Sequence, residues 1–511
     1  MTRITLATRI TLTTINARYV HAALGLRYLR ANMGALREVT HIAEFVLGDR
    51  PADIAERLLA DAPQIIGFGV YIWNVDETAR VVAILKRVAP EIIVIVGGPE
   101  VSYETENQRV CELADYVITG WGDVTFPRLC ADIVAGVLPT TMPVQKIHAG
   151  VQPPMREIAS PYGEYTDEDI ARRFIYVEAS RGCPFKCEFC LSALDKTAWP
   201  FEPEWFLGEL KTLYDRGARH FRFVDRTFNL KIAASLAILE FFLERLSDDL
   251  FIHFELIPDH LPDKLKAAIS RFPQGRLHFE VGIQTWDEAV QARISRKQDN
   301  ALAEANLRWL REASPALIHV DLIAGLPGED LATFGRGFDR LHALKPHEIQ
   351  VGILKRLRGA PIARHTEQHA MRYSPDAPYV VLATDKLDFS EVQRIVRFAR
   401  YWDLVGNSGR FHRTLPLLLA DSPFSRFLQF TDWLYARTAK THEFALEKLC
   451  GHLHDFLVDS GADAAAVAAA VAGDYEASGA KGRLPFMGVG VRPEPRAGVR
   501  GKLRQARHVH A

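Results

Sequence analysis

Phe174-Ile-Tyr-Val-Glu-Ala-Ser180-Arg-Gly-Cys183-Pro-Phe-Lys-Cys187-Glu-Phe-Cys190 reads as a short apolar strand running straight into a loop that carries three cysteines. Aromatic and β-branched residues favour the strand, and Gly182 and Pro184 end it. A chemistry-bearing loop directly after a strand is the arrangement of α/β folds, whose ligands collect at strand carboxyl ends. Toward the C-terminus five more apolar runs follow, at 220–225, 251–257, 277–284, 317–326 and 348–354, separated by stretches of helical pattern. Six such units predict a partial (β/α)6 barrel over residues 173–370, open rather than closed, with function at its strand carboxyl ends.

Toward the N-terminus, apolar runs at 10–15, 39–45, 65–72, 92–98 and 116–120 alternate with helical patterns near 21–31, 51–61, 76–88 and 124–135. This predicts a doubly wound, Rossmann-like domain over residues 1–140. Gly69, Gly97, Gly98, Gly120 and Gly122 gather where its strands end. Glycines there either terminate strands or open a ligand crevice, and both readings stand. No G-x-G-x-x-G follows the first strand, which disfavours a dinucleotide. Residues 141–172, with Pro143, Pro153, Pro154 and Pro161, read as an irregular linker. Beyond Pro375 the period becomes helical, at 379–405, 427–457 and an Ala-rich 462–478. A helical C-terminal domain is therefore expected over 371–480, with a basic tail over 481–511. His442, His452 and His454 within it read as surface or core residues.

The 511 residues are 48% apolar and 24% charged, as in ordinary globular proteins. Lys and Arg number 62 against 63 Asp and Glu, so nucleic acid and anionic membranes are not expected partners. Six cysteines in so long a chain are no disulfide scaffold, and three within eight residues point to a metal site in a reducing compartment, the cytoplasm. Met1 to Tyr19 is interrupted by arginines and lacks a signal-peptide core, and no uncharged apolar run reaches a membrane-spanning length.

The C-x3-C-x2-C spacing narrows the metal. Structural zinc prefers four protein ligands, and no fourth Cys or His lies nearby in the sequence. Three thiolates suit a [4Fe-4S] cluster with one iron uncapped, open to nitrogen and oxygen donors. Gly182 and Pro184 let the loop bend around such a cluster, and Phe189 supplies an apolar wall beside it.

This array and its place after the first barrel strand resemble the radical SAM superfamily. The resemblance implies Cys183, Cys187 and Cys190 as cluster ligands and S-adenosyl-L-methionine (SAM) as cosubstrate, cleaved by one electron to a 5′-deoxyadenosyl radical. Glu280-Val-Gly-Ile-Gln284 and Asp321-Leu-Ile-Ala-Gly325-Leu-Pro-Gly328-Glu329 resemble family cosubstrate-binding segments. Glu280 would accept from ribose hydroxyls, the alternative being a solvated strand residue, and Gly325 and Gly328 would admit the adenosine. Where the family has a Gly-Gly-Glu-like turn gripping the methionine amino group, this chain has Phe-Val-Asp225-Arg226-Thr, so Asp225 is the expected substitute.

Gly97-Gly-Pro-Glu-Val-Ser-Tyr-Glu104 and Gly120-Trp-Gly-Asp-Val-Thr-Phe126 resemble the cobalamin-binding domain fused to one radical SAM branch. The resemblance implies that Gly69, Gly97, Gly98, Gly120 and Gly122 admit the corrinoid's nucleotide tail. The D-x-H-x2-G signature of a lower cobalt ligand is absent. His21, at the first strand end, is the candidate in its place, and without a lower imidazole the cobalt is low-coordinate and donates methyl more readily. Asn407-Ser-Gly-Arg410-Phe411 resembles an extension found in a poorly characterised subgroup. The implied activity is methyl transfer to an unactivated carbon or phosphorus centre. A cobalamin-associated rearrangement, cyclisation or oxidation without methyl transfer is the second reading, and a non-catalytic iron-sulfur and corrinoid sensor the third. Implied partners are a small-molecule or peptide substrate and a one-electron reductant such as flavodoxin or ferredoxin. Lys355, Arg356 and Arg358 are read either as favouring an anionic substrate or as a solvated loop.

Overall fold

Six parallel strands, β1 Ile10–Asn16, β2 Thr40–Val46, β3 Ile65–Gly69, β4 Ile93–Gly97, β5 Tyr116–Gly120 and β6 Ile147–Gly150, form the first sheet of the computed structural model, in the order β2-β1-β3-β4-β5-β6. The structure describes residues 9–138, 145–195 and 197–486. Apolar side chains alternate between the faces of this sheet. Ile10, Leu12, Ile93 and Ile95 pack with helices Leu24–Ala31 and Thr125–Val134. Ile66, Phe68, Val94 and Val96 pack with Pro51–Ala60 and Val75–Val88 on the other face. The strand order reverses between β1 and β3, so a crevice is expected at their carboxyl ends. The fully buried Asn74 side chain stitches those ends together, donating to Ile15 O, Gly69 O and the Thr14 hydroxyl at 3.0–3.2 Å.

The stretch read as an irregular linker is not one. Ile147–Gly150 adds the sixth strand, and Asp167–Arg172 is a helix with a capping box between Thr166 and Asp169. Four half-exposed residues on a sheet edge carry too little periodicity to be read, and the prolines around them argue for a loop. Pro143, and the tail from residue 487 onward, lie outside the described residues.

The second sheet contains β7 Ile175–Val177, β8 His220–Phe223, β9 Phe251–Leu256, β10 Leu277–Gln284, β11 Leu317–Ala324 and β12 Glu348–Ile353, all parallel and in sequential order. β7 and β12 do not pair with each other, so this is a barrel left open. Each open edge is covered. At β12, the Asn407 side chain accepts from Ile349 N and donates to Ile349 O, both at 2.8 Å, standing in for a neighbouring strand. At β7, Phe174 N donates to Val20 O of the first domain. That contact sits beside a buried cluster in which Arg27 and Arg173 both bridge Glu44 and Asp169 at 2.6–3.0 Å.

The C-terminal region is helical from Phe389 onward, with helices Phe389–Leu404, Pro423–Thr438, Leu446–Asp459 and Ala464–Ala477. The helix expected to start at 379 begins ten residues later. Asp388 and Glu391 form a capping box that fixes its start, and Val381–Ala383 pairs antiparallel with Arg372–Tyr373 instead. The helix expected over 427–457 is likewise two helices, separated at Ala439 in the left-handed region. These helices share one apolar core with the barrel's outer layer, through Phe338, Phe398, Trp402, Phe424 and Phe427.

Candidate functional site

The three cysteines occupy a loop closed by a two-stranded antiparallel ribbon, Ser180–Gly182 against Ala198–Pro200. Gly182 has φ +84°, and a Cβ there would meet Thr197 O at 2.4 Å, so the ribbon closes only with glycine. Cys183, Cys187 and Cys190, with Phe185 and Phe189, form one wall of a cavity of about 220 Å³ at the carboxyl ends of the barrel strands. All three thiols are free. Burial pushes the Cys183 thiol up to about 11, so thiolate at neutral pH requires an electropositive partner. Among the described residues no three His, Cys, Asp or Glu side chains close around one ion. A multi-iron cluster takes one thiolate at each of several irons, and three free thiols on one cavity wall are a donor set that fits it.

The opposite wall is charged. Arg226, just past β8, donates to both oxygens of Glu255 at 2.8 and 3.1 Å. Glu280 on β10 and Asp321 on β11 line the same space. Burial, followed by Asp321 and Glu255, pushes the Glu280 carboxyl up to about 7. Arg296 reaches in below β10, donating to Gly282 O, to Gln298 and to Cys187 Sγ at 3.5 Å. Gln284 also lines the cavity, at a bulge in β10 with φ +69°.

Behind this wall the barrel lumen is polar. His253 Nε2 lies 3.5 Å from Glu280, and its Nδ1 shares a hydrogen bond of 2.7 Å with His278 Nδ1. Burial, then Arg222, holds the His253 imidazole down at about 3, so it is neutral. His319 is the opposite case. Against its burial, Asp321 at 3.1 Å and Glu348 at 3.5 Å push it up to about 10. Neutral and cationic imidazoles thus sit within one lumen: His319 has two carboxylates beside it, whereas His253 has Glu280 on one side and the Arg222 cation acting against its charge.

Asp225 is not among the lining residues. It is buried under the ribbon, accepting from Ala179 N at 2.9 Å and the Ser180 hydroxyl at 2.6 Å, while its neighbours Arg226 and Thr227 face the cavity. β8 ends at Phe223 and the chain turns there, so strand alternation no longer assigns the next residues to faces, and Asp225 lines a smaller neighbouring cavity with Thr227. Gly325 and Gly328 are also absent from the lining. A Cβ on Gly325 would meet Val381, and one on Gly328 would meet the Arg293 guanidinium, so these glycines admit protein neighbours.

Gly69, Gly97, Gly98, Gly120 and Gly122 lie together at the carboxyl edge of the first sheet. Gly98 has φ +116°, and a Cβ there would meet Val70 O at 2.5 Å, so this glycine serves the close crossing of two loops. The same edge exposes one large apolar side chain after each of the first five strands: Tyr19, Leu47, Trp73, Tyr103 and Val124. One exposed apolar side chain after each of these strands offers contacts to a broad, largely apolar ligand. His21 lies where the domains meet, its Nδ1 2.6 Å from the Tyr176 hydroxyl.

The carboxyl edges of the two sheets are tied to each other. Arg181, leading into the cysteine loop, bridges Asp123 after β5 at 3.0 Å and Glu178 at 2.6 Å. Arg358 and Arg356, after β12, pair with Glu100 at 2.9 Å and Glu104 at 3.0 Å after β4. Arg356 and Arg358 are therefore domain ties and neither an anion trap nor a solvated loop. The sequence reading missed Arg181, Arg226, Glu255 and Arg296. The alternation His253-x-Glu255 was the available signal for one of them.

Three family models match the chain: the B12 binding domain over residues 10–130, the Radical SAM superfamily over 177–341, and a protein family of unknown function, DUF4080, over 367–494. An uncharacterised methyltransferase of Pyrococcus horikoshii is 28% identical over 229 residues, covering 40% of this chain and 49% of that one. The cobalamin-dependent radical SAM methyltransferase TokK of Streptomyces tokunonensis is 24% identical over 359 residues, covering 62% and 51%. The chain spans about half the length of these curated relatives. In fold it is similar to the radical SAM methyltransferase TsrM of Kitasatospora setae, with TM-score 0.57, 18% identity, and coverage of 73% of this chain and 80% of that one.

Proposed function

From a chain that belongs to the radical SAM superfamily and carries a B12 binding domain ahead of its barrel, we propose a cobalamin-dependent methyltransferase acting on an unactivated carbon or phosphorus centre. When bound, a [4Fe-4S] cluster on Cys183, Cys187 and Cys190 supplies the electron that cleaves SAM, and cobalamin supplies a methyl carrier. The observation that carries this reading is the tying of the two carboxyl edges, by Arg181 to Asp123 and by Arg358 to Glu100. A methyl carrier and a radical source are useful to one substrate only if they open on the same space.

The chain's own residues divide the remaining work. Glu280 and Glu255 offer carboxylate oxygens to hydroxyl and ammonium donors of the cosubstrate, and Arg296 and Arg226 offer guanidinium groups to its carboxylate. Phe185 and Phe189 keep water from the thiolates. Tyr19, Leu47, Trp73, Tyr103 and Val124 give the corrinoid an apolar rim. The substrate is a small molecule or a peptide, and the electron comes from a flavodoxin- or ferredoxin-like donor.

The test uses anaerobic protein loaded with iron, sulfide and cobalamin, incubated with SAM and a reductant. The expected products are 5′-deoxyadenosine together with cobalamin-dependent S-adenosylhomocysteine. Deoxyadenosine without S-adenosylhomocysteine moves the assignment to rearrangement, cyclisation or oxidation. Neither product, from protein that holds both cofactors, moves it to a sensor.

A further inference from the structure

Glu188 lies between the second and third cysteines, 4% exposed, in a loop whose cysteines, Phe185 and Phe189 line the cavity. Its carboxylate turns the other way. It accepts from the Arg364 guanidinium at 2.8 and 2.6 Å, from the Ser295 hydroxyl at 2.5 Å, and pairs with His365 Nε2 at 2.9 Å. Its backbone is held on both sides as well, since Glu188 N donates to Ile294 O and Ile362 N donates to Glu188 O. The next side chains, Phe189 and Leu191, pack on an apolar cluster that contains Ile294 and Ile362.

Arg364, His365 and Ile362 belong to one segment that leaves the barrel after β12 and leads into the C-terminal region. Earlier in the same segment Arg358 holds Glu100 of the first domain. A buried carboxylate with charged and neutral donors fixes a loop far better than the loop fixes itself, because losing one partner leaves a buried group unsatisfied.

We propose that Glu188 is a positioning residue, clasped by Arg364 and His365 of the post-barrel segment, that fixes the spacing of Cys187 and Cys190 for the cluster. The role rests on the cluster reading above. It makes the junction with the C-terminal region part of the cluster site, although that junction supplies none of the cavity's lining residues.

Glu188→Gln keeps the shape and removes the charge, and Arg364→Met removes the other half of the clasp from a side chain 61% exposed, where the fold tolerates change. Two measurements apply to each. In protein reconstituted with iron and sulfide, loss of iron to a chelator is expected to be roughly tenfold faster than in the unsubstituted chain. In iron-free protein, maleimide labelling of Cys187 and Cys190, mapped by mass spectrometry, is expected to accelerate to a similar degree. Labelling of the buried Cys111, Cys130 and Cys450, and the thermal midpoint of Arg364→Met, should stay unchanged. Arg364→Lys, which restores charge without the fork, should recover part of the loss. Unchanged chelation and labelling in both variants overturn the proposal, as does acceleration of all six thiols together, which marks general unfolding. If the unsubstituted chain takes up no iron while the labelling contrast holds, the cluster reading fails and the clasp stands.

Discussion

The two six-stranded parallel sheets of this chain differ in what they bring to their carboxyl ends. The second sheet ends in a charged cavity: three thiols, two guanidinium groups and several carboxylates, backed by a lumen of buried histidines. The first ends in an open rim bearing Tyr19, Leu47, Trp73, Tyr103 and Val124. A small reactive centre is held by directed donors in a closed space, and a large macrocycle by area. The arginine ties, Arg181 to Asp123 and Arg358 to Glu100, hold these two unlike edges against each other.

Four substitutions test the contrast, from the largest expected effect downward. Cys187→Ala removes one of three cluster ligands, so iron retention and both SAM-derived products should vanish while corrinoid binding survives; iron and corrinoid assays on one sample check this. Arg181→Met leaves Asp123 and Glu178 buried without their cation, which should lower stability by about 3 kcal/mol. S-adenosylhomocysteine should then fall more than deoxyadenosine, and equal falls would mean that the tie does not align the two sites. Val124→Asp places a charge on the apolar rim and is expected to weaken corrinoid binding about tenfold, or about 1.4 kcal/mol, without changing iron content. An effect on iron alone would break the assignment of the two edges.

The smallest effect on activity is expected at Glu329, buried beside the cavity strands, where the Thr285 hydroxyl donates to it at 2.6 Å. Burial raises its carboxyl from 4.5 to about 8. The folded chain therefore keeps a proton that the unfolded chain releases. This stabilising contribution is complete below about 4.5 and is lost as pH rises through about 8, at up to about 1.4 kcal/mol per pH unit. Glu329→Gln should flatten that stretch of the stability-pH curve, and calorimetric midpoints for both proteins would reveal an unchanged slope if the account is wrong.

Much of this architecture was legible in the sequence because buried parallel strands announce themselves as apolar runs. β3, β4 and β10 lie within a few residues of their expected places. The unread parts have physical reasons. β6 is four half-exposed residues on an edge, and the stretch before Phe389 mixes a short strand with a capped helix start. Three cysteines at diagnostic spacing were visible together with Glu280 and Gln284, which line the same cavity. Asp225 and Gly325 were assigned to a ligand by position, whereas protein neighbours occupy them: Ala179 and Ser180 in one case, Val381 in the other. Local sequence could not show partners 176 residues apart, such as Glu188 and Arg364, nor that Arg356 and Arg358 serve as ties.

If the two edges open on one space, both cofactors sit close enough for electron paramagnetic resonance to detect their coupling. In anaerobic protein loaded with both cofactors, and poised so that the reduced cluster and cobalt(II) are both paramagnetic, mutual dipolar broadening is expected, and it should disappear in Cys187→Ala. Two unperturbed spectra, each identical to that of protein holding one cofactor alone, would contradict that shared opening.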